Sequence, residues 1–188
     1  ICAHNCMTKC TRNFYDQPVN IRATKLVAAE KGYDAYMAKA KAPAPAATSA
    51  KVAVIGGGPT GMSAAYFVGR AGIPVTIFER TGSLGGVVRQ VIPAFRISDA
   101  AIDKDVALME KMGVEVKLNT EAPSVSGLKA MGYTHIFFAV GAWKPGKLDI
   151  PGNVVGVIGW LKDMKAGKEV SLGHVAVVGG GNTAMDAA

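Results

Sequence analysis

Three cysteines stand close together near the start of the chain. Cys2, Cys6 and Cys10 are its only cysteines and form a C-x3-C-x3-C pattern. At helical spacing, these positions fall on one face of a helix. Such a group of thiols suits iron–sulfur ligation better than a disulfide pair. A [4Fe–4S] cluster needs a fourth ligand, for which His4 is the nearest candidate, so zinc ligation and free thiols stay open as alternatives.

The second group of residues with a recognisable chemistry is a glycine motif, G-x-G-x-x-G, made by Gly56, Gly58 and Gly61. In a strand–turn–helix unit the first glycine permits the sharp turn and the second lets a pyrophosphate approach the backbone. The third lets the helix pack closely on the strand. A helix beginning near Thr60 would direct its free N–H groups and positive dipole end toward that phosphate. The motif therefore predicts dinucleotide binding.

An acidic residue follows this motif at a suitable distance. Glu79 lies eighteen residues after Gly61, at the end of the second predicted strand. At this place a carboxylate accepts hydrogen bonds from a ribose 2′-hydroxyl. A merely structural strand–helix–strand unit is the alternative, but the glycines, both strands, the helix and the acid together favour a binding site.

Two further glycine groups occur later in the chain. Gly85 and Gly86 would permit a second close approach of backbone to a bound dinucleotide, the alternative being a flexible loop. Gly179, Gly181 and Ala184 form G-x-G-x-x-A after a predicted strand at Val175–Val178. This pattern predicts the opening of a second dinucleotide-binding unit.

Composition excludes several other functions. The chain has no C-x-x-C pair, which disfavours a flavin disulfide reductase because that chemistry needs a redox dithiol. A net charge of +7 fits a solvated surface or an acidic protein partner. Nucleic acid is not expected, because no basic stretch is interleaved with aromatic residues. No apolar run reaches membrane-spanning length and the first residues are not a signal peptide, so we expect a cytoplasmic protein without a membrane partner.

The elements that must position these residues alternate between strand and helix. The predicted strands are Lys51–Ile55, Ile73–Phe78, Val114–Leu118 and a buried strand in Tyr133–Gly141. Helices are expected from Thr60, over Asp99–Met112 with Ser98 as N-cap, over Val125–Met131 and over Val157–Ala166. This order is typical of an α/β fold with a parallel, Rossmann-like sheet. Before it we expect a helix at Ile21–Glu30, a break at Gly32, a short helix at Tyr33–Lys41 and a small-residue linker at 42–50.

Several longer motifs then resemble a known family. They are VIGGGPTGMSAA, FERTGSLGGVVRQVIPAFRIS, FFAVGAWKP and VVGGGNTAMDAA, together with the cysteine pattern and the following Asp16-Gln-Pro-Val-Asn-Ile21. In these the chain resembles the small (β) subunit of bacterial glutamate synthase and its flavoprotein relatives, including dihydropyrimidine dehydrogenase. The nearest resemblance is to the iron–sulfur subunit of proteins described as selenate reductases. The resemblance covers nearly the whole chain.

The resemblance implies a flavin-dependent NAD(P)H oxidoreductase that passes electrons from NAD(P)H, usually NADPH, through FAD to [4Fe–4S] clusters of the full-length parent. It implies four segments: 1–41 as the remnant of a helical iron–sulfur domain, 42–50 as linker, 51–172 as FAD-binding domain and 173–188 as the start of an NAD(P)-binding domain. The expected partners are the remaining domains of the parent chain and an acceptor reductase subunit. Both ends of the sequence are expected to be cut from something longer. The alternative is a non-catalytic dinucleotide-binding or assembly module.

The resemblance also implies roles for individual residues, and none of them is an acid or base catalyst. FAD would contact the first glycine motif, the end of the second strand, the second glycine pair and the segment after the fourth strand: Gly56, Gly58, Pro59, Thr60, Gly61, Glu79, Arg80, Gly85, Gly86, Val87, Ala139 and Gly141. Residues 92–95 would lie toward the flavin ring. NAD(P)H would contact Gly179, Gly181, Asn182, Thr183 and Ala184. The cluster ligands would be Cys2, Cys6 and Cys10.

Overall fold

The computed structural model describes residues 2, 4–144, 146, 149–168 and 173–188. The chain divides into two units, Ile1–Lys41 and Ala42–Ala188. The domain boundary expected at residue 172 lies outside the described residues. No described helix is both long enough and apolar enough to cross a membrane.

The first unit is helical. It contains α1 (Asn5–Thr8), a 3₁₀ turn at Thr11–Phe14 and α2 (Ile21–Lys39). Helix α2 begins after Asn20, whose side-chain oxygen accepts a hydrogen bond from Ala23 N at 3.4 Å. The predicted break at Gly32 is wrong, because α2 continues through it as one helix. Gly32 is exposed with open space beside it, and one glycine in such a place costs only about 1 kcal/mol, which the strong helix formers around it outweigh.

The second unit is built on a parallel sheet of four strands: β1 (Val52–Ile55), β2 (Val75–Phe78), β3 (Glu115–Lys117) and β4 (His135–Phe138). The strand order is β3-β2-β1-β4. In register, Ile55 pairs with Phe78 on one side and Phe138 on the other, so the carboxyl ends of β1, β2 and β4 meet at one edge. The predicted α/β, Rossmann-like fold is confirmed.

Six helices belong to this unit within the described residues: α3 (Pro59–Arg70), α4 (Val87–Gln90), α5 (Asp99–Glu110), α6 (Val125–Ala130), α7 (Val157–Lys165) and α8 (Asn182–Ala187). Ser98 caps α5 as predicted, since its hydroxyl accepts a hydrogen bond from Ala101 N at 3.3 Å. The segment 42–50 is part of the same unit, and Ala46 N donates to Gly72 O at 2.9 Å. Central strands supply the fully buried core side chains Val54 and Ile77.

Two strand predictions need correction. The segment after Tyr133 forms a strand only at His135–Phe138, and it is not buried: Phe138 is 62% exposed. Strand β4 pairs with β1 on one side only and is an edge of the described sheet. Val175–Val178 forms no strand, and both end residues are exposed. A strand needs a hydrogen-bonded neighbour, and no described strand pairs with this segment.

Candidate dinucleotide-binding site

The loop between β1 and α3 has the geometry that its glycines predict. Gly56 has φ +104°, and a Cβ there would lie 2.5 Å from the carbonyl oxygen of Ala139. A Cβ at Gly61 would lie 1.9 Å from the carbonyl oxygen of Gly56. A side chain is therefore excluded at Gly56 by the turn and at Gly61 by the packing of α3 on β1.

Gly58 forms the entrance of α3. It is the N-cap residue, and no side chain caps the helix. A Cβ at Gly58 would meet only Cα of Gly86, at an ordinary van der Waals distance of 3.9 Å, so this backbone is not crowded. Pro59 and Thr60 in the first turn are exposed. Uncapped N–H groups and the positive end of a helix dipole together favour an anion at this position.

The second glycine pair lies against the first loop. Gly85 N donates to the carbonyl of Gly57 at 2.8 Å. Gly86 has φ +53°, and a Cβ there would lie 2.9 Å from Cα of Gly58. The Gly85–Gly86 segment is therefore a packed part of the site and not a free loop, and it holds the backbone around Gly58 in place.

Glu79 is buried at the carboxyl end of β2, with 7% of its surface exposed. Its Oε2 accepts a hydrogen bond from Gly57 N at 2.7 Å. Its Oε1 accepts from Thr81 N and from the Thr81 hydroxyl, both at 2.8 Å. The carboxylate thus joins the glycine loop to the chain that leaves β2.

Sequence reasoning missed three residues of this network. Gly57 is one, because the motif treats its position as variable; a Cβ there would lie 2.3 Å from Cδ2 of Leu84. Thr81 is the second. Gln90 on α4 is the third, and its side-chain N–H donates to the Thr81 hydroxyl at 3.1 Å. A hydroxyl residue two positions after a terminal acid is the one signal that could have indicated this local hydrogen bonding.

The other residues expected at the FAD site are less enclosed. Arg80 and Gly141 are exposed, and Val87 and Ala139 are half-buried. Ala139 lies beside Gly56, and its N–H donates to the carbonyl of Ile55 at 2.8 Å. Phe95, within the segment expected near a flavin ring, is 75% exposed.

The second glycine motif lies at the start of α8. Gly179 has φ +133°, Ala184 is buried, and a Cβ at Gly181 would meet no atom within 4 Å. Asn182 and Thr183 are exposed. Helix α8 contacts the segment that follows the Gly85–Gly86 pair, because Arg96 Nε lies 2.5 Å from a carboxylate oxygen of Asp186.

A second contact reaches the same segment from α7. Lys165 Nζ donates to the carbonyl of Ile92 at 2.6 Å and lies 3.7 Å from the carboxylate of Asp99. Helix α7 in turn packs against α8. The second glycine motif is therefore attached to the unit that carries the first.

The cysteines are not brought together in the described residues. The prediction that they share one helix face is wrong, because α1 spans only Asn5–Thr8 and contains Cys6 alone. Cys2 and Cys6 are exposed and Cys10 is half-buried. Backbone hydrogen bonds at Val19 and Arg12 lower the pKa of the Cys10 thiol. No group of three or more potential metal ligands occurs in the part of the chain that the structure describes, so these thiols as placed do not fit an iron–sulfur cluster.

The first glycine site does fit a dinucleotide. The uncrowded backbone at Gly58 and the uncapped N-terminus of α3 suit a pyrophosphate, and the buried carboxylate of Glu79 lies beside the same loop.

The chain is similar in sequence to several known oxidoreductases. An Escherichia coli (strain K12) protein, YgfK, is 42% identical over 193 residues, which are 100% of this chain and 19% of that protein. NADPH-Fe(3+) oxidoreductase subunit beta of Geobacter sulfurreducens (strain ATCC 51573 / DSM 12127 / PCA) is 31% identical, over 99% of this chain and 29% of its own length. NAD-dependent dihydropyrimidine dehydrogenase subunit PreT of E. coli (strain K12) is 30% identical, over 100% of this chain and 48% of its own length. The chain thus spans less than half the length of each of these relatives.

A solved structure of 2-naphthoyl-CoA reductase with 2-naphthoyl-CoA is similar to 69% of this chain and 20% of its own, with a TM-score of 0.55 and 35% sequence identity. The family described as pyridine nucleotide-disulphide oxidoreductase matches residues 20–130 and 50–188. The chain therefore belongs to the pyridine nucleotide-disulphide oxidoreductase family.

Proposed function

We propose that this chain is the FAD-binding part of an NAD(P)H oxidoreductase of the glutamate synthase small-subunit type. The observation that carries the proposal is the start of α3, where the helix N-terminus has no side-chain cap and the backbone of Gly58 is not crowded. The pyrophosphate of FAD would lie there, and Glu79 would accept a hydrogen bond from the adenosine ribose. Gly85 and Gly86 would hold the loop backbone in position.

NAD(P)H, usually NADPH in proteins of this type, would bind the second glycine motif. A bound FAD accepts a hydride from the nicotinamide and releases electrons singly. The task of this chain is to hold the two binding loops at a fixed distance, and the Arg96–Asp186 and Lys165–Ile92 contacts serve it. No side chain is assigned as acid or base.

The names of two relatives support a role in electron transfer, since one is an NADPH-Fe(3+) oxidoreductase subunit and another a subunit of an NAD-dependent dehydrogenase. On this basis we propose as partners further domains of a longer parent chain and an acceptor reductase subunit. A [4Fe–4S] cluster would need ligands besides Cys2, Cys6 and Cys10. We derive no electron-transfer step through these thiols.

Visible absorption of the full-length parent protein with FAD, recorded anaerobically before and after NADPH, tests the proposal. We expect FAD to be retained through gel filtration and its absorbance to bleach on reduction. Retained but unreduced flavin would favour the non-catalytic binding module, and failure to retain FAD would contradict the proposal. FMN, which lacks the adenosine and the pyrophosphate, is the control ligand and should be lost.

The cluster is tested separately. Iron and labile sulfide would be assayed after anaerobic reconstitution of the chain and of its Cys6→Ala variant. We expect no stoichiometric cluster in either protein. A stoichiometric [4Fe–4S] cluster that the Cys6→Ala substitution abolishes would show that the cysteines and a further ligand in this chain are sufficient.

A further inference from the structure

The carboxylate of Glu79 already has three hydrogen-bond donors from the protein. Thr81 supplies two of them, its N–H and its hydroxyl, both to Oε1 at 2.8 Å. Gly57 N supplies the third, to Oε2 at 2.7 Å. Each carboxylate oxygen accepts about two hydrogen bonds. Among the described contacts, Oε1 is therefore saturated, and Oε2 keeps one acceptor position.

The hydroxyl of Thr81 is itself held in place. It accepts a hydrogen bond from the side-chain amide of Gln90 at 3.1 Å, so its own proton must go to another acceptor. Two acceptors lie within reach: Glu79 Oε1 at 2.8 Å and the carbonyl of Ser83 at 3.1 Å. The contact with Glu79 is shorter and charge-assisted, which favours it.

We propose that Thr81 is a positioning residue that, held by Gln90, occupies Oε1 of Glu79 and so leaves Oε2 as the single acceptor for the adenosine ribose 2′-hydroxyl of FAD. The inference rests on the proposed function, since it names how the FAD site recognises its ribose. It differs from the expectation drawn from the sequence, in which Glu79 alone accepts the ribose hydroxyls. Here recognition depends on a residue that need not touch the ribose.

The test compares two ligands in three proteins. The dissociation constants of FAD and of a FAD analogue with 2′-deoxyadenosine are measured for the unmodified chain, Thr81→Val and Thr81→Ser. In the unmodified chain we expect FAD to bind roughly tenfold or more tightly than the deoxy analogue, the usual value of a hydrogen bond to a charged group. Thr81→Val should lower this preference by weakening FAD and leaving the analogue nearly unchanged, because the N–H of residue 81 alone then holds Oε1 and the carboxylate is less firmly oriented toward the ribose. Thr81→Ser keeps the hydroxyl and should restore the preference.

Thr120→Val is the matched control. It also deletes a threonine hydroxyl close to β2, but that hydroxyl donates to the carbonyl of Leu118 at 2.8 Å and does not contact the Glu79 carboxylate. We expect the ribose preference to survive in this variant.

Each contrary result has its own meaning. Equal weakening of both ligands by Thr81→Val would overturn the inference, because a merely structural role changes both affinities alike. An unmodified chain that binds FAD and the analogue equally well would overturn it too, while leaving the proposed function intact. An unmodified chain that binds neither ligand would overturn the proposed function and, with it, the inference.

Discussion

The side chain of Glu79 accepts a hydrogen bond from the backbone of Gly57 at 2.7 Å, across 22 residues of sequence. This contact joins the end of β2 to the loop after β1 at the edge where the two strands finish together. A residue expected only to bind a ligand therefore also shapes the loop to which the ligand would bind. Loss of its carboxylate should affect both the empty and the loaded protein.

We first predict that Glu79→Ala destabilises the chain even without FAD. The N–H groups of Gly57, which is buried, and of Thr81, which is partly buried, would both lose their acceptor, at a cost of about 2–4 kcal/mol in the free energy of unfolding. Glu79→Gln should also destabilise, because its amide places a donor against one of the two N–H groups in either orientation. Denaturant unfolding of the chain without ligand measures both effects.

Glu110→Ala, at an exposed position on α5, is the control and should change the free energy of unfolding by less than about 0.5 kcal/mol. If Glu79→Ala unfolded at the same denaturant concentration as the unmodified chain, the carboxylate would have no structural role. For FAD, we expect Glu79→Ala to weaken binding by about 1–3 kcal/mol.

The first glycine motif could be predicted from the sequence because the local backbone geometry requires glycines there. The structure leaves no room for a side chain at Gly56 or Gly61, so both positions need glycine and a short sequence motif is enough to recognise them. Buried apolar runs likewise located β1 and β2. These features depend on residues close together along the chain.

Features that depend on contacts between residues far apart in the sequence could not be predicted from it. The sequence of Val175–Val178 does not show whether a neighbouring strand is available to pair with it. Likewise, the sequence around Phe138 does not show that its strand lies at the exposed edge of the sheet. The contact between Gly86 and Gly58 joins two loops whose separation no spacing rule gives. The cysteine spacing predicted that the three thiols share one face of a helix. The helix there, α1, is only four residues long, so they do not all lie on it.

A second prediction concerns Gly32 in the middle of α2. A Cβ there meets nothing within 4 Å and the residue is helical, so Gly32→Ala should stabilise the helix by about 0.5–1 kcal/mol. Gly132→Ala is the matched control: space is also open there, but φ is +83°, and we expect destabilisation. Denaturant unfolding followed by far-ultraviolet circular dichroism measures both. Destabilisation by Gly32→Ala would indicate that α2 is not continuous.

A third prediction concerns pH. The Tyr133 hydroxyl donates to Thr76 Oγ1 at 2.9 Å, and the Thr76 hydroxyl donates to Glu115 Oε2 at 2.7 Å. The bond from Thr76 is the main cause that lowers the pKa of Glu115 below its ordinary value of 4.5. Because the folded pKa is depressed, the stabilisation is present above pH 4.5 and is lost as the pH falls through the lower, folded pKa.

Thr76→Val should therefore raise the pKa of Glu115 toward 4.5, which carboxyl titration by NMR measures directly. Thr76→Val should also lower the free energy of unfolding, and the part of this loss that comes from Glu115 should disappear as the pH falls from 4.5 through the folded pKa. It should be below about 1 kcal/mol, since the Glu115 side chain is 56% exposed. An unchanged titration of Glu115 in Thr76→Val would contradict the assignment. Thr120→Val should leave that titration as it is.

The last prediction separates the two glycine motifs. Gly58 and Gly181 are both N-cap residues with negative φ, and a Cβ at either would meet no atom closer than 3.9 Å. Alanine should therefore leave the fold intact at both positions, and valine is the stronger test of a ligand close to the backbone. Bulk at Gly58 should displace the FAD pyrophosphate, and bulk at Gly181 should displace NAD(P)H.

We accordingly expect Gly58→Val to lose the flavin during gel filtration, with Gly58→Ala weakened in the same direction. In the full-length parent, Gly181→Val should keep the yellow flavin bound but slow its reduction by NADPH, because the NAD(P)H backbone contact is lost while the first loop is untouched. Flavin absorbance after gel filtration and stopped-flow bleaching measure the two effects, and circular dichroism checks the fold. If Gly181→Val emptied the FAD site while the circular dichroism spectrum stayed unchanged, the division of the two cofactors between the motifs would be wrong.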